Sequence, residues 1–301
     1  PPKDPAGRNR ARVARRAGPL SWTAVAHPSP TSPRRQAAIP ALLAAFALLL
    51  GACSNADRPT LADRAAPTSV TSTTAPSGPT TTQVRLDELP PGPENLLGYI
   101  ATPLGTEPEV RTAPDPQAER LEIGATTEVG APTTFAVLGD PGVTSAATNG
   151  WYKVLIPTRP NQGTAWVPAA SVALTQTPMR VFISLADRTL RVENNGASVF
   201  DTTVAIGTDE NPTPLGATYI TELIQNTNPG GAYGPYAFGL ALHSETLTEF
   251  AGGPGQVGVH GTNQPDLIGQ AVSHGCVRLN NDDIQALVDL QLPLGVPVLI
   301  S

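Results

Sequence analysis

The apolar and polar positions fall into three regimes along the chain. Residues 37–50 are an unbroken apolar run apart from Pro40, with Arg34 and Arg35 just before it. A bilayer-spanning helix needs about 20 apolar residues, so this shorter run fits the core of a secretory signal peptide. Residues 54–83 are rich in Thr, Ser, Pro and Ala, with almost no large apolar side chain. Such a segment cannot bury enough surface to offset its ordering entropy and predicts a disordered tether. From residue 96 onward, short apolar runs alternate with turn residues.

Two β-rich bodies follow. In the first, 96–175, the runs at 98–101, 134–138, 151–156 and 164–167 are separated by turn signals at 139–142 and 157–163. No helical period is sustained, so a small all-β barrel or sandwich is expected. In the second, 178–301, Val181, Ile183 and Leu185 alternate, as do Leu190 and Val192. Asn195-Gly196 predicts a hairpin turn into a strand over 197–206. Further strands are expected at 218–223, 256–262, 276–279 and 296–300, with a Gly/aromatic loop over 230–239 that holds Tyr233, Tyr236 and Phe238. One helix is expected after Asn280 or Asn281 as cap: Asp282 and Asp283 fall in its first turn, Ile284, Leu287 and Val288 form its apolar stripe, and Pro293 stops it. The fold class is therefore mainly β.

Composition sharpens the division. Pro and Gly account for 61 of 301 residues, too many for one compact domain over the whole length. Eight basic residues and one acid lie in the first 40, whereas residues 54–301 hold 11 basic and 24 acidic. A basic head on an acidic body reads as a targeting segment and speaks against a nucleic-acid partner. The two cysteines are Cys53, at the end of the apolar run behind Gly51-Ala52, and Cys276.

Cys276 sits in Ser273-His274-Gly275-Cys276-Val277-Arg278, sixteen residues after His260-Gly261-Thr262-Asn263. A cysteine that accepts an acyl group needs a base, a positive environment and N–H groups aimed at an oxyanion. His260 can supply the base, Gly275 permits close approach of backbone to a carbonyl, and Arg278 shares a strand face with Cys276. Arg278 has two readings: it holds a substrate carboxylate, or it pairs with Asp282 or Asp283. His243 reads as structural, and Ser273 as support for the neighbouring histidines. Lys3 and Lys153 are the only lysines and neither follows a Ser by three, which excludes a Ser-x-x-Lys enzyme; no Gly-x-Ser-x-Gly elbow occurs either. Gly253–Gly258 matches a dinucleotide fingerprint but leads into Val259-His260 and no helix, so it reads as a loop. Two alternatives remain: a zinc-dependent amidase or carboxypeptidase using His260, His274 and Cys276 with His243 or Asp266, and a non-catalytic wall-anchoring lipoprotein.

The motif pair at 260–263 and 273–279, with Pro212–Gly216 before it, resembles the active-site signature of YkuD-type L,D-transpeptidases. The resemblance implies a β-sandwich catalytic domain over 178–301 acting on peptidoglycan stem peptides without a cofactor. Cys276 would attack the stem after meso-diaminopimelate, expel D-Ala and pass the acyl group to an amine. It further implies His260 as base then acid, Gly261 as the carbonyl that orients it, His274 as a pocket wall, and the amides of Gly275 and Cys276 as oxyanion hole. Arg278 would bind substrate, and Tyr233 and Tyr236 would form a lid. Residues 149–156 and 163–168, each with a Trp, resemble a bacterial SH3-like domain, in which Trp151 and Trp166 serve as packing. Leu50-Gly51-Ala52-Cys53 resembles a lipobox, which implies a leader over 1–52, lipidated Cys53 heading a tether over 53–95, and a membrane-anchored lipoprotein facing the wall. Two acyl chains are needed for stable anchoring. Cys53→Ala is expected to leave uncleaved, lipid-free precursor; mass spectrometry of the membrane fraction checks this, and a lipid-free, normally processed product from the unmutated chain contradicts it.

Overall fold

The computed structural model describes residues 22–24, 92, 94–250 and 252–301. Cys53, the apolar run and almost all of the tether lie outside the described residues. In the first body, β2 (Tyr99–Pro103) is flanked by β3 (Phe135–Ala136) and, after a chain excursion, by β6 (Val172–Gln176), all antiparallel. Between them β4 (Trp151–Leu155) and β5 (Thr164–Pro168) form a hairpin. Phe135, Val137, Val154, Val167 and Val172 pack with Ala101 and Val110 into its core. Trp151 and Trp166 are both buried, and the Lys153 ammonium lies 5.8 Å from the Trp166 ring centroid.

One element there departs from the sequence pattern. The turn signal at 139–142 leads straight into helix α1 (Pro141–Ala147), which the apolar pattern did not predict. Asp140 caps it by accepting from the amides of Gly142 and Val143 at 2.8 and 3.2 Å, and Pro141 takes the first helical position. Two turns are too short to display an apolar period, so only the cap carried the signal.

The second body is a curled sheet. Its strands are β7 (Met179–Ser184), β8 (Thr189–Asn194), β9 (Ala197–Thr203), β11 (Gly216–Asn226), β12 (Tyr236–His243), β13 (Gln256–His260), β15 (Val277–Arg278) and β16 (Pro297–Ile300), while β10 (Ile206–Gly207) and β14 (Ala271–Ser273) pair in parallel as a separate two-stranded sheet. The order β15-β13-β12-β11-β16-β7-β8-β9 makes β11 the hinge of the sheet. Its first half, Gly216–Tyr219, pairs with β16, and its second half, Ile220–Gln225, pairs with β12. β1 (Trp22–Ala24) pairs antiparallel with the end of β11. The curl encloses Val181, Leu190, Phe238, Leu240, Val259 and Val277, closed by Ile284 and Leu287 of helix α2 (Asn281–Asp289). Asn195 and Gly196 both take positive φ, as the predicted hairpin turn requires.

Two boundaries differ from expectation. The strand expected over 197–206 breaks after Thr203, because Ala205 exchanges both backbone hydrogen bonds with Arg278 and Ile206 then pairs with Ala271. The loop expected to run to 239 ends earlier, since Tyr236 already pairs with Gln225. Gly239 lies inside β12 because a Cβ there would collide with the buried Glu222 side chain.

The two bodies share an apolar seam. Leu96, Ala136, Leu138 and Leu155 of the first pack on Ala217, Tyr219, Ala241 and Leu299 of the second. Tyr219 is fully buried and its hydroxyl has no hydrogen-bond partner among the described residues. Tyr219→Phe is therefore expected to leave thermal unfolding unchanged or raise its midpoint, since it removes an unpaired buried polar group. Tyr219→Ala is expected to cost about 3–5 kcal/mol. Thermal denaturation of both variants checks the contrast.

Candidate active site

The site is built by the pairing of β13 with β15. The two strands run parallel with Val259 opposite Val277 and His260 opposite Arg278. Val257, Val259 and Val277 are buried in the core. Alternation then puts Gly258 and His260 on the other face of β13, and Arg278 of β15, with Cys276 just before that strand, on the matching face. A cavity of about 180 Å³ opens there, floored by Cys276, His260 and Arg278 and walled by Ala232, Tyr233, Phe250 and His274.

His260 is buried and its Nδ1 lies 2.6 Å from the carbonyl oxygen of Gly261. A carbonyl only accepts, so Nδ1 carries the proton and Nε2 keeps its lone pair. The carbonyl is itself held in place. Asn281 Oδ1 accepts the Thr262 amide at 2.9 Å, and Gly234 packs so closely on Gly261 that a Cβ at either position would collide with the other strand of chain or with Asn281. Asn281 thus spends its side chain on the site, and Asn280, at the helix cap position, makes no side-chain capping bond. The Tyr233 ring lies 4.7 Å from the His260 ring, tilted by 53°.

Burial dominates the electrostatics. It pushes the His260 pKa down to about 4, with the Gly261 carbonyl opposing and the Arg278 charge adding to the shift. Burial also pushes the Cys276 thiol up, while a backbone hydrogen bond with Gly258 and the Arg278 charge pull part of the way back. The Tyr233 phenol is raised by burial and by Cys276, with Arg278 opposing. At neutral pH the site therefore holds a neutral imidazole beside a thiol. Arg278 has no carboxylate partner among the described residues, and its Nε is buried without a hydrogen bond. Asp283, one of the acids expected to pair with it, instead accepts the Thr202 hydroxyl at 2.7 Å.

The loop before Cys276 is stapled by Ser273. Its hydroxyl donates to the Cys276 carbonyl at 2.5 Å and accepts the Gly275 amide at 3.1 Å. Gly275 has φ of 115°, a conformation only glycine adopts easily. With its amide engaged by Ser273, Gly275 does not offer the free oxyanion donor expected of it; among the described residues the Cys276 amide has no acceptor. His274 is exposed and stacks on Phe250 at 5.1 Å.

Cys276, His260, His274, Arg278 and Tyr233 thus meet at one cavity. Tyr236 does not: it is a strand residue packed against the hydrophobic core, because β12 has already begun there, and the lid expected of it is not formed by its side chain. Phe250 and Asn281 were not singled out by sequence; Phe250 comes from a stretch with no chemical signature, and Asn281 reads as a helix cap. No group of three or more His, Cys, Asp and Glu among the described residues is placed to hold a metal ion.

The family model described as the YkuD L,D-transpeptidase catalytic domain matches residues 178–300. The YkuD protein of Bacillus licheniformis, provisionally named an L,D-transpeptidase, is 30% identical over 162 residues, which cover 54% of this chain and 82% of that one. Its Bacillus subtilis counterpart, with the same provisional name, is 32% identical over 124 residues, covering 41% and 66%. A crystal structure of an L,D-transpeptidase from Mycobacterium tuberculosis aligns at 16% identity and a TM-score of 0.38, covering 67% of this chain and 97% of that one.

The depressed His260 pKa has a consequence for stability. An unfolded histidine takes a proton near pH 6.5, whereas the folded one stays neutral down to about 4. Over that window the unfolded state binds more protons, so stability falls as pH falls. The full loss, below both values, is about 3 kcal/mol. Chemical denaturation at pH 7 and pH 4.5 should show a drop that is smaller in His260→Asn than in the unmutated chain; equal drops contradict the assignment.

Proposed function

Since the chain belongs to the YkuD-type L,D-transpeptidase family, we propose that it is a peptidoglycan L,D-transpeptidase whose acyl-enzyme forms on Cys276. The observation that carries this reading is one cavity lined by the free Cys276 thiol and by a buried imidazole whose Nδ1 is tied to Gly261. The tie leaves Nε2 as the ring nitrogen with a free lone pair, able to act as base. A raised thiol and a lowered imidazole argue for proton transfer as attack occurs, in preference to a preformed thiolate–imidazolium pair.

The steps balance as follows. Cys276 Sγ adds to the stem carbonyl that follows meso-diaminopimelate, and its proton passes to His260 Nε2. The Cys276 amide meets the oxyanion. The C–N bond to D-Ala breaks, and the leaving amine takes the proton from His260. An acceptor amine then attacks the thioester, His260 removes the amine's proton, and the thiol is restored as the C–S bond breaks. Arg278, with no acid to neutralise it among the described residues, lines the cavity as the cation for a substrate carboxylate. The Tyr233 ring and the Phe250–His274 stack give apolar walls for the stem. On this reading residues 1–52 are a lipoprotein leader, Cys53 carries the lipid, and the body at 96–175 is an SH3-like module facing the wall.

A disaccharide-tetrapeptide donor is expected to add a thioester mass to Cys276, and Cys276→Ala is expected to show none. His260→Ala is expected to slow acylation at least 100-fold at neutral pH, an order-of-magnitude figure for loss of a general base, with the residual rate rising toward the thiol's own pKa. Inhibition by a chelator with recovery on adding Zn²⁺, and no adduct, would support the metal-dependent alternative instead.

A further inference from the structure

The loop between β12 and β13 carries Phe250, and little of it is buried. Glu245, Thr246, Thr248, Glu249 and Phe250 are all exposed. None of its described residues is an apolar anchor in the core of its own body. A loop of this kind opens at low free-energy cost unless it is held from outside. Yet Phe250 lies stacked on His274 as one wall of the Cys276 cavity.

The hold comes from the first body. Arg159 donates from Nη1 to the Ser244 carbonyl at 2.6 Å, and from Nη2 to the carbonyls of Leu247 and Pro254 at 3.2 and 3.1 Å. One guanidinium therefore ties both arms of the loop together. Asn161 reinforces it, donating to the His243 carbonyl and accepting the His243 amide, both at 2.8 Å. Gly255 is shaped to the clamp: its φ is +74°, and a Cβ there would collide with the Leu247 carbonyl and approach the guanidinium. This explains glycine at a position inside the dinucleotide-like Gly253–Gly258 stretch. On the far side Thr246 donates to Asn211 at 3.0 Å.

We infer that Arg159 is a positioning residue for donor recognition, acting through Phe250, so that the body at 96–175 completes the donor pocket of the body that carries the chemistry. The inference rests on the assignment of that cavity to the donor. Arg159 touches no reacting atom. It fixes the loop, the loop fixes the Phe250 wall, and the wall sets how tightly the stem is held.

The test is a double-mutant cycle on the full chain with a disaccharide-tetrapeptide donor, reading kcat, KM and the thermal midpoint. Arg159→Ala is expected to raise KM about tenfold and change kcat less than about threefold, the pattern of lost binding shared by ground and transition states. Phe250→Ala is expected to do the same. If Arg159 acts through Phe250, adding Arg159→Ala to Phe250→Ala changes KM no further. Gly255→Ala attacks the clamp from the loop side and is expected to give the same KM defect, which Phe250→Ala again absorbs; it serves as the test if Arg159→Ala fails to fold. Unchanged KM in a folded Arg159→Ala or Gly255→Ala chain overturns the inference, as do effects that multiply in the double variant. An unmutated chain that never acylates Cys276 overturns the parent reading, and this one with it, and is distinguishable because the unmutated control then fails first.

Discussion

The site depends on the parallel register of β13 and β15. Val259 beside Val277 buries two valines in the core, and that burial fixes which way the neighbouring residues face. His260, Cys276 and Arg278 are delivered to one cavity because the alternate positions are apolar and committed. A slip of one residue would turn the imidazole into the apolar core and a valine toward the cavity, at the cost of a buried polar ring parted from its Gly261 partner and a valine taken out of the core. The pairing is only two residues long, so it is secured elsewhere: Arg278 exchanges hydrogen bonds with Ala205, and Leu279 donates to the His260 carbonyl.

Burial then sets the chemistry. Burial disfavours both the thiolate and the imidazolium, so the resting pair is neutral. The same burial magnifies every fixed charge and dipole near the pair. Arg278 is the permanent charge in this setting. It lowers the thiol and lowers the imidazole together, so it favours a proton leaving sulfur but disfavours its staying on His260. On the proposed mechanism, that opposition suits a base that must give the proton up again to a leaving amine.

Much of this was legible in the chain, for identifiable reasons. His260, Ser273, His274, Gly275, Cys276 and Arg278 are concentrated in two short stretches, so local spacing carried them. The Asn195-Gly196 turn and the apolar stripe of α2 were legible for the same reason: each is encoded within a few residues. The missed features are those decided by distant contacts. Gly239 reads as loop until Glu222 is seen occupying its side-chain space. The break after Thr203 depends on Arg278, more than seventy residues on. Asn281 resembles a cap, and only the fold shows it spent on Thr262. Ser273 was read as support for the histidines, whereas its hydroxyl in fact closes the turn around Gly275 and Cys276.

The glycines show how closely the parts of the site constrain one another. Gly234 and Gly261 let the Tyr233 loop, the His260 strand end and Asn281 meet without side chains between them. Gly207 does the same where the turn at Asn211–Thr213 folds against β10, and its amide donates to Thr213 Oγ1 at 2.9 Å. Pro212, in that turn, presents its carbonyl to Gly275. At Gly207 the close neighbours are backbone, and at Gly234 and Gly261 they are backbone and the Asn281 side chain that is already engaged with Thr262, so an added Cβ at these three positions must displace chain or break that hydrogen bond. Such packing suits a site that works with few charged groups, because a neutral imidazole and a thiol owe their reactivity to placement. It also explains why the sequence departs from good strand-forming residues in the segments nearest the chemistry. Local propensity there is surrendered to close approach, and the valine core on the other face of the sheet supplies the stability that this surrender gives up.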